Sequence, residues 1–176
     1  MAKFLLPICD YFRTRRKVWK KFIFPVLVSA IFLGLSFIIP LRDGVDIPAV
    51  FSDFINVQIS VIAIFISFSI AIISIMVSAD NSNIKALKET LSQDGSIKPL
   101  NGKKLSLFQV LLSNLSYNVF VEVIYLIVLI VYLIIQAVLP TDAIRYLMTL
   151  GVFLLMHILN VLLECVVQMY LTFWKN

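Results

Sequence analysis

The chain has 176 residues, of which 61% are hydrophobic and 14% charged, with a formal net charge of +5 and a mean hydropathy of +1.00. Soluble domains are about 45–50% apolar and about 25% charged, so one water-soluble core is excluded and the apolar excess belongs in lipid. Two distant cysteines and one histidine offer neither a C-x-x-C redox pair nor a zinc ligand set.

The N-terminal stretch "MAKFLLPICDYFRTRRKVWKK" joins a short apolar patch to a dense basic run. The apolar segment behind it, Phe22–Leu41, is long enough to cross a bilayer and lacks an A-x-A-like exit. It reads as a retained signal anchor. Topogenic charge and attraction to an anionic inner leaflet account for the run Arg13–Lys21, and nucleic acid is not an expected partner. Trp19 and Trp174 are expected interfacial anchors.

The second apolar stretch is Phe51–Ser78. Ser60, Ser67 and Ser74 follow a heptad on it, and Asn56, Ala63, Ala71 and Ser78 lie within about 60° of them. Small residues let helix backbones approach closely in lipid, so a packing face is expected. The functional alternative is a narrow hydroxyl-lined path.

Residues 79–106 form the one sizeable polar connection. A short helix is expected in "ADNSNIKALKETL", capped by Asp80 or Ser82. "QDG" and "KPLNGKK" are turn signals. This loop is too short for an independent domain. Its Lys85, Lys88, Lys103 and Lys104 are candidates for docking a cytosolic protein partner.

The third and fourth apolar stretches are Leu107–Leu139 and Ile144–Phe173. Each carries a polar stripe. Asn114, Asn118, Glu122, Tyr125, Tyr132 and Gln136 fall within an arc of about 80°. Tyr146, Thr149, His157, Asn160, Glu164 and Gln168 fall within about 100°. Unpaired polar groups in hydrocarbon cost several kcal/mol, so both stripes must face protein or water. By depth, Glu122 is level with Asn160 and about one turn from His157, so these three are expected to form an intramembrane cluster. Asn114, Asn118, Glu164 and Gln168 are expected to line the cytoplasmic mouth. The cluster reads either as a clasp that fixes helix register or as part of an ion or proton path. No catalytic, cofactor-binding or metal motif occurs.

The expected fold is an all-α integral membrane protein, a single domain of four transmembrane helices over 1–176. Thirteen of the fifteen basic residues fall in the two termini and the 79–106 loop. Asp43, Asp46, Asp53 and Asp142 fall in the opposite loops. The positive-inside rule then places both termini and the middle loop in the cytoplasm. At about 1.5 Å per residue the third stretch alone runs to roughly 50 Å, against a hydrocarbon core of about 30 Å. The surplus of the last three helices is expected to project into the cytoplasm.

A chain of this size with four spans, inward termini and one modest loop after the second span, turning at "MVSADNSNIKALKE" (Met76–Glu89), resembles the small membrane subunits of bacterial antiphage systems, the Kiwa system's membrane protein among them. The resemblance covers the architecture of the whole chain and assigns no residue a role. It implies a homo-oligomeric membrane sensor in antiviral defence with a separate cytosolic effector. The residues themselves point to a non-enzymatic, oligomeric sensor or scaffold of the bacterial inner membrane that holds a cytosolic partner. An ion channel or proton-coupled transporter lined by the two stripes is the alternative.

Overall fold

The computed structural model describes residues 5–38, 45–79, 81–92, 95, 97–100 and 102–174, with side chains to position 170. Lys3, Leu41, Arg42, Asp43, Asp80 and Lys175, and the ring of Trp174, lie outside what is described. Among the described residues there are six α-helices: α1 (Leu6–Thr14), α2 (Lys20–Ile38), α3 (Ile47–Ser78), α4 (Ser82–Glu89), α5 (Leu107–Ile135) and α6 (Thr141–Trp174). Among the described residues, α2, α3, α5 and α6 are long and apolar enough to cross a membrane. The chain is a multi-pass membrane protein by the length and composition of these helices.

Local chemistry sets the boundaries. Asp46 caps α3 by accepting from the Ala49 N–H at 3.3 Å, with Pro48 in the first turn. Asn81 caps α4 by accepting from the Ile84 N–H at 2.9 Å. The expected cap Ser82 is instead the first helical residue, because the residue before it has the extended backbone that a cap requires. Ser106 and Gln109 close a reciprocal capping box on α5. The third apolar stretch does not stay α-helical to Leu139. It tightens into a 3-10 turn at Gln136–Val138 before Pro140, and α6 begins three residues earlier than the sequence suggests.

The spans pack in the order α2, α6, α5, α3, with α3 also reaching α6. Phe51, Ile55, Ile62, Leu115, Leu129, Ile144 and Ile158 are fully buried at the centre. Gly151 lets α6 come close: a Cβ there would meet the Tyr125 hydroxyl at 2.9 Å and the Phe54 ring at 3.0 Å. Outward-facing Phe24, Leu27, Ile64, Phe68 and Ile127 are half exposed or more, as lipid contact requires.

The packed face of α3 is not the serine stripe. Phe51, Ile55, Gln58, Ile62, Ser69 and Met76 are buried within an arc of about 60°. Ser60, Ser67 and Ser74 lie about 160° round the helix and are exposed on the protomer. Ser60 and Ser67 hydrogen-bond to the carbonyls of Asn56 and Ala63, four residues back. Their hydroxyls are thereby satisfied without a neighbouring helix.

Three short polar segments fold onto one end of the bundle, the end that carries the basic residues. Helix α1 packs on α5 through Tyr11, and α4 packs on α5 through Ile84 and Leu87. Backbone bonds tie them together: Lys98 N–H to the Thr14 carbonyl (2.7 Å), Ser92 N–H to Leu105 (2.9 Å) and Leu107 N–H to Thr90 (2.9 Å). The "KPLNGKK" turn forms as a two-way Leu100–Lys103 pair, with Gly102 at φ 78°, a conformation that favours glycine.

Candidate functional site

Two polar layers cross the bundle. The first lies at the α3–α5 interface. Glu122, Asn118 and Ser69 are all fully buried. Asn118 Nδ2 donates to Glu122 Oε1 at 2.7 Å, and Ser69 Oγ donates to the same oxygen at 3.2 Å. Glu122 Oε2 and Asn118 Oδ1 are buried and have no protein partner. One turn beyond, the Tyr125 hydroxyl reaches Gln58 Oε1 at 3.4 Å.

The second layer is larger and lies toward the basic end. Arg15, at the exit of α1, is 3% exposed. Its Nη2 donates to Asn114 Oδ1, and its Nη1 lies 4.0 Å from Glu164 Oε1. Lys21, in the first turn of α2, is paired with Glu164 Oε2. Gln168 donates to Glu164 Oε1 at 3.3 Å and accepts from Asn114 Nδ2 at 3.4 Å. Two cations from separate elements thus converge on one carboxylate of α6. The Tyr11 ring lies beside both, with the Lys21 ammonium 5.3 Å and the Arg15 guanidinium 5.6 Å from its centroid. Cation–π attraction holds such a pair over a ring face. Burial first, and the Glu164 charge second, push the Tyr11 hydroxyl well above the usual phenol range.

An aromatic column links this layer to the membrane interior. Tyr11 stacks on Tyr117 with centroids 3.8 Å apart. The Tyr117 hydroxyl and His157 Nε2 are hydrogen-bonded at 2.9 Å. His157 in turn stacks on Phe22 at 4.6 Å. Asn160 Nδ2 donates to the backbone carbonyl of Lys21 at 3.0 Å.

The expected cluster of Glu122 with His157 and Asn160 is therefore distributed over both layers. Glu122 turns toward α3 and meets Ser69, whereas His157 meets Tyr117 and Asn160 meets α2. Asn118 joins Glu122 in the first layer. Asn114, Glu164 and Gln168 do come together, bound to Arg15 at the exit of α1 and Lys21 of α2, with Glu164 and Gln168 partly exposed. Of the loop lysines, Lys88 lies over the Phe108 ring at 5.2 Å, Lys85 is on the exposed side of α4, and Lys103 and Lys104 are exposed.

Sequence reasoning missed Tyr11, Arg15, Lys21, Ser69 and Tyr117. Pro7 ahead of the polar–apolar pattern of "PICDYFRT" is the signal that marks α1 as a helix start. Nothing in a charge run tells which cation is buried. Among the described residues no group of three or more His, Cys, Asp or Glu is placed to hold a metal ion. No protein-family model, curated protein or solved structure matches this chain.

Proposed function

We propose that the chain is an oligomeric membrane scaffold, the sensor subunit of a two-part system, whose basic end faces the cytoplasm and holds an acidic cytosolic protein. One observation carries this reading. Among the described residues, the basic end presents eleven Lys and Arg against Asp10, Glu89 and Glu164, and its polar segments are packed into a single platform rather than left as loose connections. Glu164 neutralises part of the Arg15 and Lys21 charge internally. The remaining cations, Lys85, Lys88 and Lys103 among them, are exposed. A single-sign surface of this kind steers and holds a partner of opposite sign.

The positive-inside rule supports the orientation, and the architectural resemblance to antiphage membrane subunits supports a bacterial inner membrane and a role in antiviral defence. Self-association is assigned to the exposed α3 face of Ser60, Ala63, Ser67, Ala71 and Ser74, since small residues permit close helix contact in lipid. Affinity purification tests the docking reading. Lys85→Glu, Lys88→Glu and Lys103→Glu together should release proteins that co-purify with the wild-type chain. Unchanged co-purification contradicts it.

A second reading is favoured by the unpartnered Glu122 Oε2 and Asn118 Oδ1. Intramembrane ionisable groups mark ion and proton pathways. On that reading the purified chain conducts in planar bilayers, and Glu122→Gln alters the conductance or its pH dependence. A silent wild type removes it.

A further inference from the structure

We infer that a small pocket at the basic end binds a phosphate group, and that its source is the headgroup of an inner-leaflet lipid. The pocket holds about 240 Å³ and is lined by Arg16, Ser92, Ile97, Lys98, Lys104 and Leu105, together with Gly95 and Pro99. Three cations from two distant stretches of chain thus border one cavity, and none of the described lining residues is acidic. Arg16, Lys98 and Lys104 are exposed, and neither described ion pair involves them. Residues 93, 94 and 96 lie outside the described residues.

The walls are preformed. The Lys98 N–H donates to the Thr14 carbonyl at 2.7 Å, and Arg15 and Ile97 face each other in an antiparallel bridge. These contacts join the chain segments that carry Arg16 and Lys98. The Ser92 N–H bond to Leu105 at 2.9 Å and the Leu91–Ser106 bridge fix the segment that carries Lys104. Ile97 is 9% exposed and fixes the position of its neighbour Lys98. Bringing three like charges together stores repulsion, which a multiply charged anion relieves. Arginine presents a planar fork that fits phosphate oxygens, and lysines add point charge.

Size and place select the ligand. Pockets for drug-sized molecules run to about 300–1,000 Å³, and this one is smaller, suited to a phosphate with a short appendage. Arg16 lies four residues before α2 and Lys104 three residues before α5. Both helices are membrane-spanning candidates that start at this end. Trp19, 64% exposed, stands between Arg16 and α2, in the interfacial zone such rings prefer. The pocket is thereby placed at the depth of lipid phosphates. This inference rests on the membrane reading of the helices and not on the docking of a protein partner.

The test uses the purified full-length chain in an uncharged detergent, with dihexanoyl phosphatidate, dihexanoyl phosphatidylcholine and inorganic phosphate as separate probes. Saturable binding of about one phosphatidate per protomer is expected. The triple variant Arg16→Gln, Lys98→Gln, Lys104→Gln should weaken it at least about tenfold. The triple variant Arg13→Gln, Lys17→Gln, Lys20→Gln removes equal charge outside the pocket and should weaken it less than about twofold. Because all six residues are exposed, thermal melting should match the wild type, and Lys98→Glu alone provides a milder second variant with the same expected direction. Inorganic phosphate binding as tightly as phosphatidate, at the same three residues, upholds the phosphate site and assigns a soluble source. Equal losses in the two triple variants, or no saturable binding of either phosphate, overturn the proposal.

Discussion

Asn160 Nδ2 donates to the Lys21 carbonyl at 3.0 Å, and that carbonyl stands four residues before Pro25 in α2. In an unbroken helix the N–H of residue 25 would bond there. Proline has no N–H, so the carbonyl is orphaned inside an apolar span. An amide from α6 supplies the missing donor. The relationship explains why a polar residue is held at position 160, and it fastens α2 to α6 at the turn where Lys21 meets Glu164.

Asn160→Leu should therefore lower stability by about 1–2 kcal/mol, read as an earlier thermal melt in detergent. In a Pro25→Ala background the alanine N–H takes over, and the same substitution should cost less by about 1 kcal/mol. Additive losses in the double variant would show that the two residues are not linked.

At position 122 the unpartnered pair of oxygens sets the expectation. Glutamine keeps a carbonyl for Asn118 Nδ2 and Ser69 Oγ, and it replaces the unpartnered Oε2 with an N–H donor while Asn118 Oδ1 lacks one. Glu122→Gln should melt at or above the wild-type temperature. Glu122→Leu strands Ser69 and Asn118 and should cost roughly 1–3 kcal/mol. A Gln variant as damaged as Leu would mean that the charge itself holds the α3–α5 interface.

Glu164 is the shared counterion of Arg15 and Lys21. Glu164→Gln leaves two cations facing each other beside the Tyr11 ring. We expect a loss of about 1–3 kcal/mol, discounted because the carboxylate is partly exposed. The local signature is sharper than the global one. Arg15 is 3% exposed, so trypsin should cut after it slowly in the wild type and faster in the variant as α1 lifts from α5. Equal cleavage rates would place the anchoring of α1 elsewhere.

Tyr11 titrates in the opposite sense to a paired carboxylate. Its hydroxyl is held above the ordinary phenol value, so the folded chain keeps the proton more tightly than the unfolded one. That contribution is complete below the unfolded value of about 10 and is lost as pH rises beyond it. Wild-type stability should fall in this alkaline range. Tyr11→Phe keeps the stack on Tyr117, removes a buried hydroxyl without a partner, and should flatten the alkaline fall. An identical alkaline slope in the variant would assign the loss to other groups.

The four spans were legible because each is a continuous apolar run, whereas the Ser106–Gln109 box was not read from the sequence although both partners sit within one turn. The azimuth of α3 was not. Its apolar residues surround the helix, so the small stripe stood out while the large residues Phe51, Ile55 and Ile62 made the contact. The stripe on α5 told that Glu122 faces protein or water, but an arc on one helix cannot say whether α3 or α6 stands opposite. A run of cations reads as a solvated face, and only tertiary packing singles out Arg15. Pro25 interrupts the backbone bonding of α2, and the donor that repairs it lies far away in sequence at Asn160.

The account depends on the basic end facing the cytoplasm, and cysteine labelling tests this most directly. In a Cys9→Ser background, with the buried Cys165 left in place, Lys103→Cys and Asp142→Cys would be treated with a membrane-impermeant thiol reagent in intact cells stripped of their outer membrane. The account predicts that Asp142→Cys labels at once and Lys103→Cys only after the remaining membrane is permeabilised. Labelling of Lys103→Cys in intact cells, with Asp142→Cys protected, would contradict it.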